Sequence, residues 1–206
     1  TNLRRFWSML AHYHGQVWNA SEIGGSIGVS GHTTRHYLDI LSETFMVRQL
    51  PPWHENLKKR QVKSPKVYFR DSGLFHSLTG IPDWEALQLH PKLGVSWKGY
   101  AVEEILRHLR PREAYFWAVH NGSELDLLCF EEDRRIGFEV KYADAPKLTR
   151  SMVCAAELLR LDALMIVYPG SNRYPLSDRI EAVPLASLLL ELGMKRTAEE
   201  VDKRFG

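Results

Sequence analysis

The stretch Glu124-Leu125-Asp126-Leu127-Leu128-Cys129-Phe130, the charged turn Glu131-Glu132-Asp133-Arg134, and then Ile136-Gly137-Phe138-Glu139-Val140-Lys141 decide how this chain is read. Both halves are apolar runs interrupted by acids, and the turn between them suits a β-hairpin. Alternate side chains of a strand share a face, so Glu139 and Lys141 point one way while Phe138 and Val140 point the other. Asp126 lies on the preceding strand, and pairing of the two strands brings two carboxylates and an ammonium toward one place. That set suits Mg²⁺-dependent phosphodiester chemistry, in which carboxylate oxygens hold the hard cation and a lysine orients or deprotonates the attacking water. With 25 acids and ten lysines among 206 residues, an acid-x-Lys triplet arises by chance about once per chain. Its weight comes from its place, at the end of an apolar strand and before a helix predicted over 146–161. An exposed structural hairpin without metal fits the same spacing.

Composition sets the frame. A chain of 206 residues, 44% hydrophobic and 25% charged, has room for one or two domains with a real core and no sign of disorder. Its most apolar stretches, 161–168 and 183–190, are too short to cross a bilayer, and no signal segment opens it, so a cytoplasmic protein without a membrane partner is expected. Two cysteines, Cys129 in a predicted strand and Cys154 in a predicted helix, fit reduced thiols better than a disulfide framework. The opening Thr1-Asn2-Leu3-Arg4-Arg5-Phe6-Trp7 runs straight into an amphipathic helix, so a fragment of a longer polypeptide or a processed product is expected. Residues 1–80 hold ten Lys or Arg against five Asp or Glu, which makes nucleic acid a plausible partner for that part.

The first 50 residues read as helices. Apolar positions 3, 6, 7 and 10 mark one over Leu3–His14, ended by Gly15. Ala20 to Leu41 has the form of a helix-turn-helix: Ser21 caps a short helix, Gly28 makes the turn and Ser30 caps a second helix. Tyr37, Leu38 and Leu41 lie on its inner face, while His32, Thr33, Arg35 and His36 lie outside. Strands at Phe45–Leu50 and Val67–Phe69 form a wing, joined by 51–66 with its Lys58-Lys59-Arg60 cluster. Arg35, His36, Lys58, Lys59 and Arg60 are the candidate nucleic-acid contacts, although such modules also serve as packing units and a basic loop can be merely solvated. His32 and His36 have the spacing of two metal ligands, but without a nearby Cys or carboxylate a solvated or DNA-facing pair fits better. From Gly73 the pattern turns to α/β. A connecting region leads to a helix over Val95–Leu109, strands at Ala114–Val119, Glu124–Phe130 and Ile136–Lys141, a helix, strands at Ala163–Tyr168 and Arg179–Val183, and a helix from Leu185. The division expected is 1–75 and 76–206.

A helix with an acid, three strands carrying Asp and then Glu-x-Lys, a helix and a strand: this order resembles the PD-(D/E)XK nuclease superfamily, through Glu103, Asp126, Glu139 and Lys141. The chain also resembles the C-terminal region of bacterial and archaeal ATP-binding proteins that have an N-terminal AAA-type ATPase and a C-terminal domain of unknown function. The likeness rests on the segment Gly28 to Leu41, on Val62-Lys63-Ser64-Pro65-Lys66-Val67-Tyr68-Phe69-Arg70-Asp71-Ser72-Gly73-Leu74, on Trp97-Lys98-Gly99-Tyr100-Ala101-Val102-Glu103-Glu104 and on the Asp126 to Lys141 hairpin. It implies an α/β protein: an N-terminal winged helix-turn-helix followed by a restriction-endonuclease-like mixed-sheet domain. It also implies an ATPase partner outside this chain, since no Gly-x-x-x-x-Gly-Lys-Ser/Thr loop for ATP occurs here. Carried over residue by residue, Asp126 and Glu139 would hold Mg²⁺, with the Val140 carbonyl as a further oxygen. Lys141 would position water and stabilise developing charge, and Glu103 would hold an outer water or second metal; Glu124 neighbours the site and competes with Asp126. The expected function is Mg²⁺-dependent nuclease action on nucleic acid. The alternatives are a non-catalytic module that binds nucleic acid or a partner and regulates the ATPase, and a DNA-binding regulator whose second domain makes a homo-oligomer.

Overall fold

The computed structural model describes residues 2–55, 61–120, 122–131 and 133–205, with side chains through 195. The chain divides into two compact units, one of Thr1–Pro52 with Lys63–Tyr100 and one of Trp53–Val62 with Ala101–Gly206. The expected blocks 1–75 and 76–206 were consecutive, whereas these units interleave: the chain leaves the first at Trp53 and re-enters it at Lys63.

The first unit contains α1 (Asn2–His12), β1 (Gln16–Val17), α2 (Ala20–Ile27), α3 (Gly31–Glu43), β2 (Val47–Leu50), β3 (Lys66–Phe69), α4 (Ser72–Thr79), α5 (Trp84–Leu89) and the start of α6 (Leu93–Leu109). Its strands form an antiparallel sheet in the order β1-β3-β2. Local chemistry sets the helix ends. Asn19 caps α2 by accepting the Glu22 N–H at 3.3 Å, so the cap lies two residues before the expected Ser21. Ser30 caps α3 as expected, its Oγ accepting the Thr33 N–H at 3.1 Å, and Gly28 ends α2 in the left-handed region. Phe6, Leu10, Ile23, Leu38, Leu41, Val67 and Phe75 then share one buried cluster. Helices α4 and α5 occupy the region expected to be connecting chain. Their caps, Asp71 to the Leu74 N–H at 2.6 Å and Asp83 to the Ala86 N–H at 2.8 Å, were the overlooked signals.

His14 is buried here. Its Nδ1 accepts the Phe69 N–H at 3.0 Å, and its ring stacks on Phe75 with centroids 4.4 Å apart. Burial, with help from the Lys92 charge, pushes its pKa from 6.5 down to about 3. The folded form is therefore neutral between these values, while the unfolded chain binds a proton there. Stability falls as pH drops from 6.5 toward 3, by up to ~1.4 kcal/mol per pH unit for this one proton. Urea unfolding followed over that range should show a shallower acid slope for His14→Gln than for the unaltered chain, and equal slopes would refute this assignment.

The second unit is a mixed α/β layer structure. Its strands are β4 (Ala114–Ala118), β5 (Glu124–Glu131), β6 (Arg134–Val140), β7 (Ala163–Tyr168), β8 (Tyr174–Ser177) and β9 (Ile180–Pro184), in the sheet order β4-β5-β6-β7-β9-β8. The β4-β5-β6 pairs are antiparallel, β6 and β7 are parallel because α7 (Arg150–Leu158) and the following turn return the chain to the same end of the sheet, and β7 and β9 are parallel with β8 as the return segment between them. Helix α7, capped by Thr149, sets Met152 and Ala155 against Trp117, Leu125, Leu128, Leu164 and Ile166. α8 (Leu185–Phe205) closes the chain, and β8, an edge strand that admits Pro175, was not anticipated.

The far edge is covered. Trp53 donates its N–H to the Phe116 carbonyl at 2.7 Å, Val62 donates to the Ala118 carbonyl at 3.1 Å, and Gln61 bridges to Val119. Arg135 fastens this segment, donating to Glu55 Oε2 at 2.6 Å and lying over the Trp53 and Phe130 rings. A strand edge that would otherwise offer unpaired backbone groups is thereby occupied. Among the described residues no helix is long and apolar enough to cross a membrane. Both cysteines are free thiols, and burial pushes that of Cys129 up to about 12.

Candidate functional site

The acids of the hairpin lie where its two strands part. The β5–β6 ladder runs from Glu131↔Arg134 to Leu127↔Phe138 and stops there. Beyond it the Val140 N–H is taken by a side chain, Asp126 Oδ2 at 3.0 Å, while the Lys141 N–H turns to the Val167 carbonyl of β7 at 2.9 Å. Asp126 is fully buried and Glu139 is 3% exposed. Isolated carboxylates are costly to bury, and both have partners: the Val140 amide for Asp126, and for Glu139 the Lys141 ammonium, Nζ to Oε1 2.7 Å. Lys141 itself is 40% exposed, so the pair opens to solvent on the lysine side.

The alternation used to place Asp126 does not run unbroken through β5. Against β4, Tyr115 faces Leu128 and Trp117 faces Leu125, so the single residue Phe116 is opposed by two, Asp126 and Leu127. That is a β-bulge, which bends a strand and re-aims its side chains. It explains why Leu125 and Leu128, on opposite faces of an ideal strand, both enter the cluster under α7. Gly137 lies on that side too: a Cβ there would meet Leu161 Cδ1 at 2.6 Å. Glu139 and Lys141 follow on the same face by alternation, and Glu139 sits beside Ile166 of β7.

Glu103 and Glu104 separate cleanly. Glu103 is 9% exposed on α6, in the second unit, whereas Glu104 pairs with Arg107 and accepts His108 Nδ1 at its carbonyl at 2.8 Å. Glu124 starts β5 and donates its backbone N–H to Ser151 Oγ of α7 at 3.2 Å, a contact no sequence period announces. Among the described residues no group of three or more His, Cys, Asp or Glu side chains is placed to hold a metal ion, so Glu103 does not join Asp126 and Glu139 in such a set. Arg35, His36 and His32 are exposed on α3 in the first unit. Lys58, Lys59 and Arg60 lie outside the described residues.

Residues 1–85 match a domain of unknown function (DUF8612), and residues 93–188 match another domain of unknown function (DUF4143). The chain is 47% identical over 187 residues to the uncharacterized proteins Rv2008c of Mycobacterium tuberculosis and Mb2031c of Mycobacterium bovis. The match covers 91% of this chain but 42% of each relative, so the chain spans less than half of their length. Among solved structures, protein VC1899 from Vibrio cholerae covers 96% of this chain, and 56% of its own, at 13% identity and a TM-score of 0.31. A likeness at that level carries no argument about the fold.

Proposed function

We propose that the second unit is a PD-(D/E)XK-like domain that hydrolyses phosphodiester bonds of nucleic acid, and that the first is a winged helix-turn-helix that holds the substrate. One observation carries the reading: Asp126 and Glu139 are buried carboxylates on neighbouring strands at the point where their ladder opens, with Lys141 Nζ 2.7 Å from Glu139. Two carboxylates and a neighbouring carbonyl form a hard-oxygen set of the kind Mg²⁺ accepts, since that ion is usually held by one or two carboxylates, waters and substrate phosphate. Asp126, Glu139 and the Val140 carbonyl would hold it. When bound, it would supply charge for the phosphate oxygens and a more acidic water. Lys141, open to solvent on one side, orients the attacking water and stabilises negative charge on the phosphorane. The bulge at Asp126–Leu127 sets the first carboxylate, and the Val140 N–H holds it. Glu103, buried on α6, would position an outer water. In the first unit, the capped α2–α3 pair, the β2–β3 strands and the outward Arg35 and His36 support the winged-helix reading.

The likeness to AAA-type ATP-binding proteins, and the length of the relatives beyond this chain, support an ATPase domain as the partner in the whole protein. A second reading, a non-catalytic module regulating that ATPase, is favoured by the ion pair of Lys141 with Glu139 Oε1 and by the lack of a three-ligand group among the described residues. Incubating the chain with single- and double-stranded DNA and RNA while titrating Mg²⁺ or Mn²⁺ separates the two. Cleavage that depends on the ion and stops with chelator is the expected result. Binding without cleavage, repeated with a full-length relative and ATP, would establish the regulatory reading instead.

A further inference from the structure

We infer that Arg4 and Arg5 are phosphate contacts of a duplex-DNA surface on the first unit, an inference that rests on the helix-turn-helix reading above. Helix α1 and the last turn of α2 border an open groove of about 410 Å³ lined by Arg4, Arg5, Ser8, Met9, Ser26 and Ile27. Both arginines are exposed, and among the described residues neither guanidinium makes a hydrogen bond or an ion pair. Ser8 and Ser26 donate to helix carbonyls, those of Arg4 at 3.4 Å and Glu22 at 3.0 Å, so the charge of the groove is that of the guanidiniums. Glu22, the acid of α2, lies a turn from Ser26, and its Oε2 accepts from Asn19 Nδ2 at 3.2 Å, toward the far end of that helix. Among the described residues no acid lines the groove.

What this surface fits follows from its chemistry. The α2 wall of the groove leads through Gly28 and Val29 to Ser30, the cap of α3, whose Arg35 and His36 are exposed and also without partners among the described residues. Unneutralised cations on α1 and α3 suit a polyanion, because each phosphate they neutralise releases condensed counterions. Helix α3 buries Thr34, Leu38 and Leu41 and turns a polar face outward, as a helix lying in a major groove does, with a neighbouring helix on the backbone. Single strands are held by aromatic side chains that stack on bases, and among the described residues no aromatic one lines this groove.

The test is a salt titration of binding, by fluorescence anisotropy, between the chain and a labelled random-sequence DNA duplex. Arg4→Ala with Arg5→Ala should weaken binding several-fold and lower the slope of log K against log salt by ~0.9 per lost contact, ~1.8 for the pair. Arg4→Lys with Arg5→Lys should restore the slope, and Arg4→Gln with Arg5→Gln gives the same readout if the alanine pair melts early. An unchanged slope in the alanine pair, with Arg35→Ala still weakening binding, overturns this inference and leaves the helix-turn-helix reading standing. Tighter binding to a labelled oligo-dT than to the duplex overturns the duplex assignment. A chain that binds no duplex at any salt overturns the helix-turn-helix reading itself.

Discussion

Lys141→Ala should lower metal-dependent cleavage by about 10²–10³-fold, the usual loss when one donor aimed at developing charge is removed, while leaving nucleic-acid affinity largely unchanged. Such a loss corresponds to roughly 3–4 kcal/mol of barrier. The fold should suffer less. Removing the lysine leaves Glu139 buried without its ammonium, but Lys141 is 40% exposed and the pair is screened on that side, so a stability loss of about 1 kcal/mol is expected. Asp126→Asn makes the complementary test, because an asparagine oxygen can still accept the Val140 N–H while the charge is gone. It should abolish metal-dependent activity with little change in melting temperature, and Glu139→Gln should do likewise. Retained cleavage in either variant would remove the carboxylate from the proposed site. Equal loss of stability and activity in all three would make the acids a structural network instead.

Gly99→Ala is expected to destabilise the first unit by about 3 kcal/mol or more, the upper range for overpacking. Alanine is the better helix former by roughly 1 kcal/mol, so on local grounds the substitution inside α6 should stabilise. The neighbour decides the sign. A Cβ at Gly99 would lie 2.1 Å from His14 Nε2, and the ring cannot easily retreat, being held by the Phe69 N–H and stacked on Phe75. Gly137→Ala should cost less, about 1–2 kcal/mol, since its contacts are the ends of leucine side chains that can rotate away. Urea unfolding of Gly99→Ala, His14→Ala and the double variant would show the coupling: the second substitution should relieve the first. A Gly99→Ala protein as stable as the parent would mean that the histidine moves freely.

What could be read before the structure was known was the local chemistry. Ser30 capping α3, Gly28 ending α2 and the acid-bearing strands all came from interactions within a few residues, where a side chain and the backbone it serves are close in sequence. The mixed sheet was implied by the family resemblance, and its β6–β7 pair is parallel because a helix intervenes between the two strands. Caps such as Asp71 and Asp83 were legible in principle, but α4 and α5 are too short for a clear apolar period.

The arrangement of the candidate site was decided by tertiary structure. Asp126 meets Val140 14 residues away, His14 meets Phe69 55 away and Arg135 meets Glu55 80 away, separations at which no periodicity carries information. The bulge that sets Asp126 exists only because β4 and β5 pair with unequal numbers of residues, a property of two strands together. Adjacent Glu103 and Glu104 are nearly identical to a sequence reader, yet one is buried and the other paired with Arg107, because the faces of α6 meet different surroundings. Sequence by itself determined which residues bear the charge and which segments become helix or strand, since those depend on side-chain chemistry and local geometry. Only the folded chain decided which charges are buried and what each one meets, because those depend on packing between segments far apart in sequence.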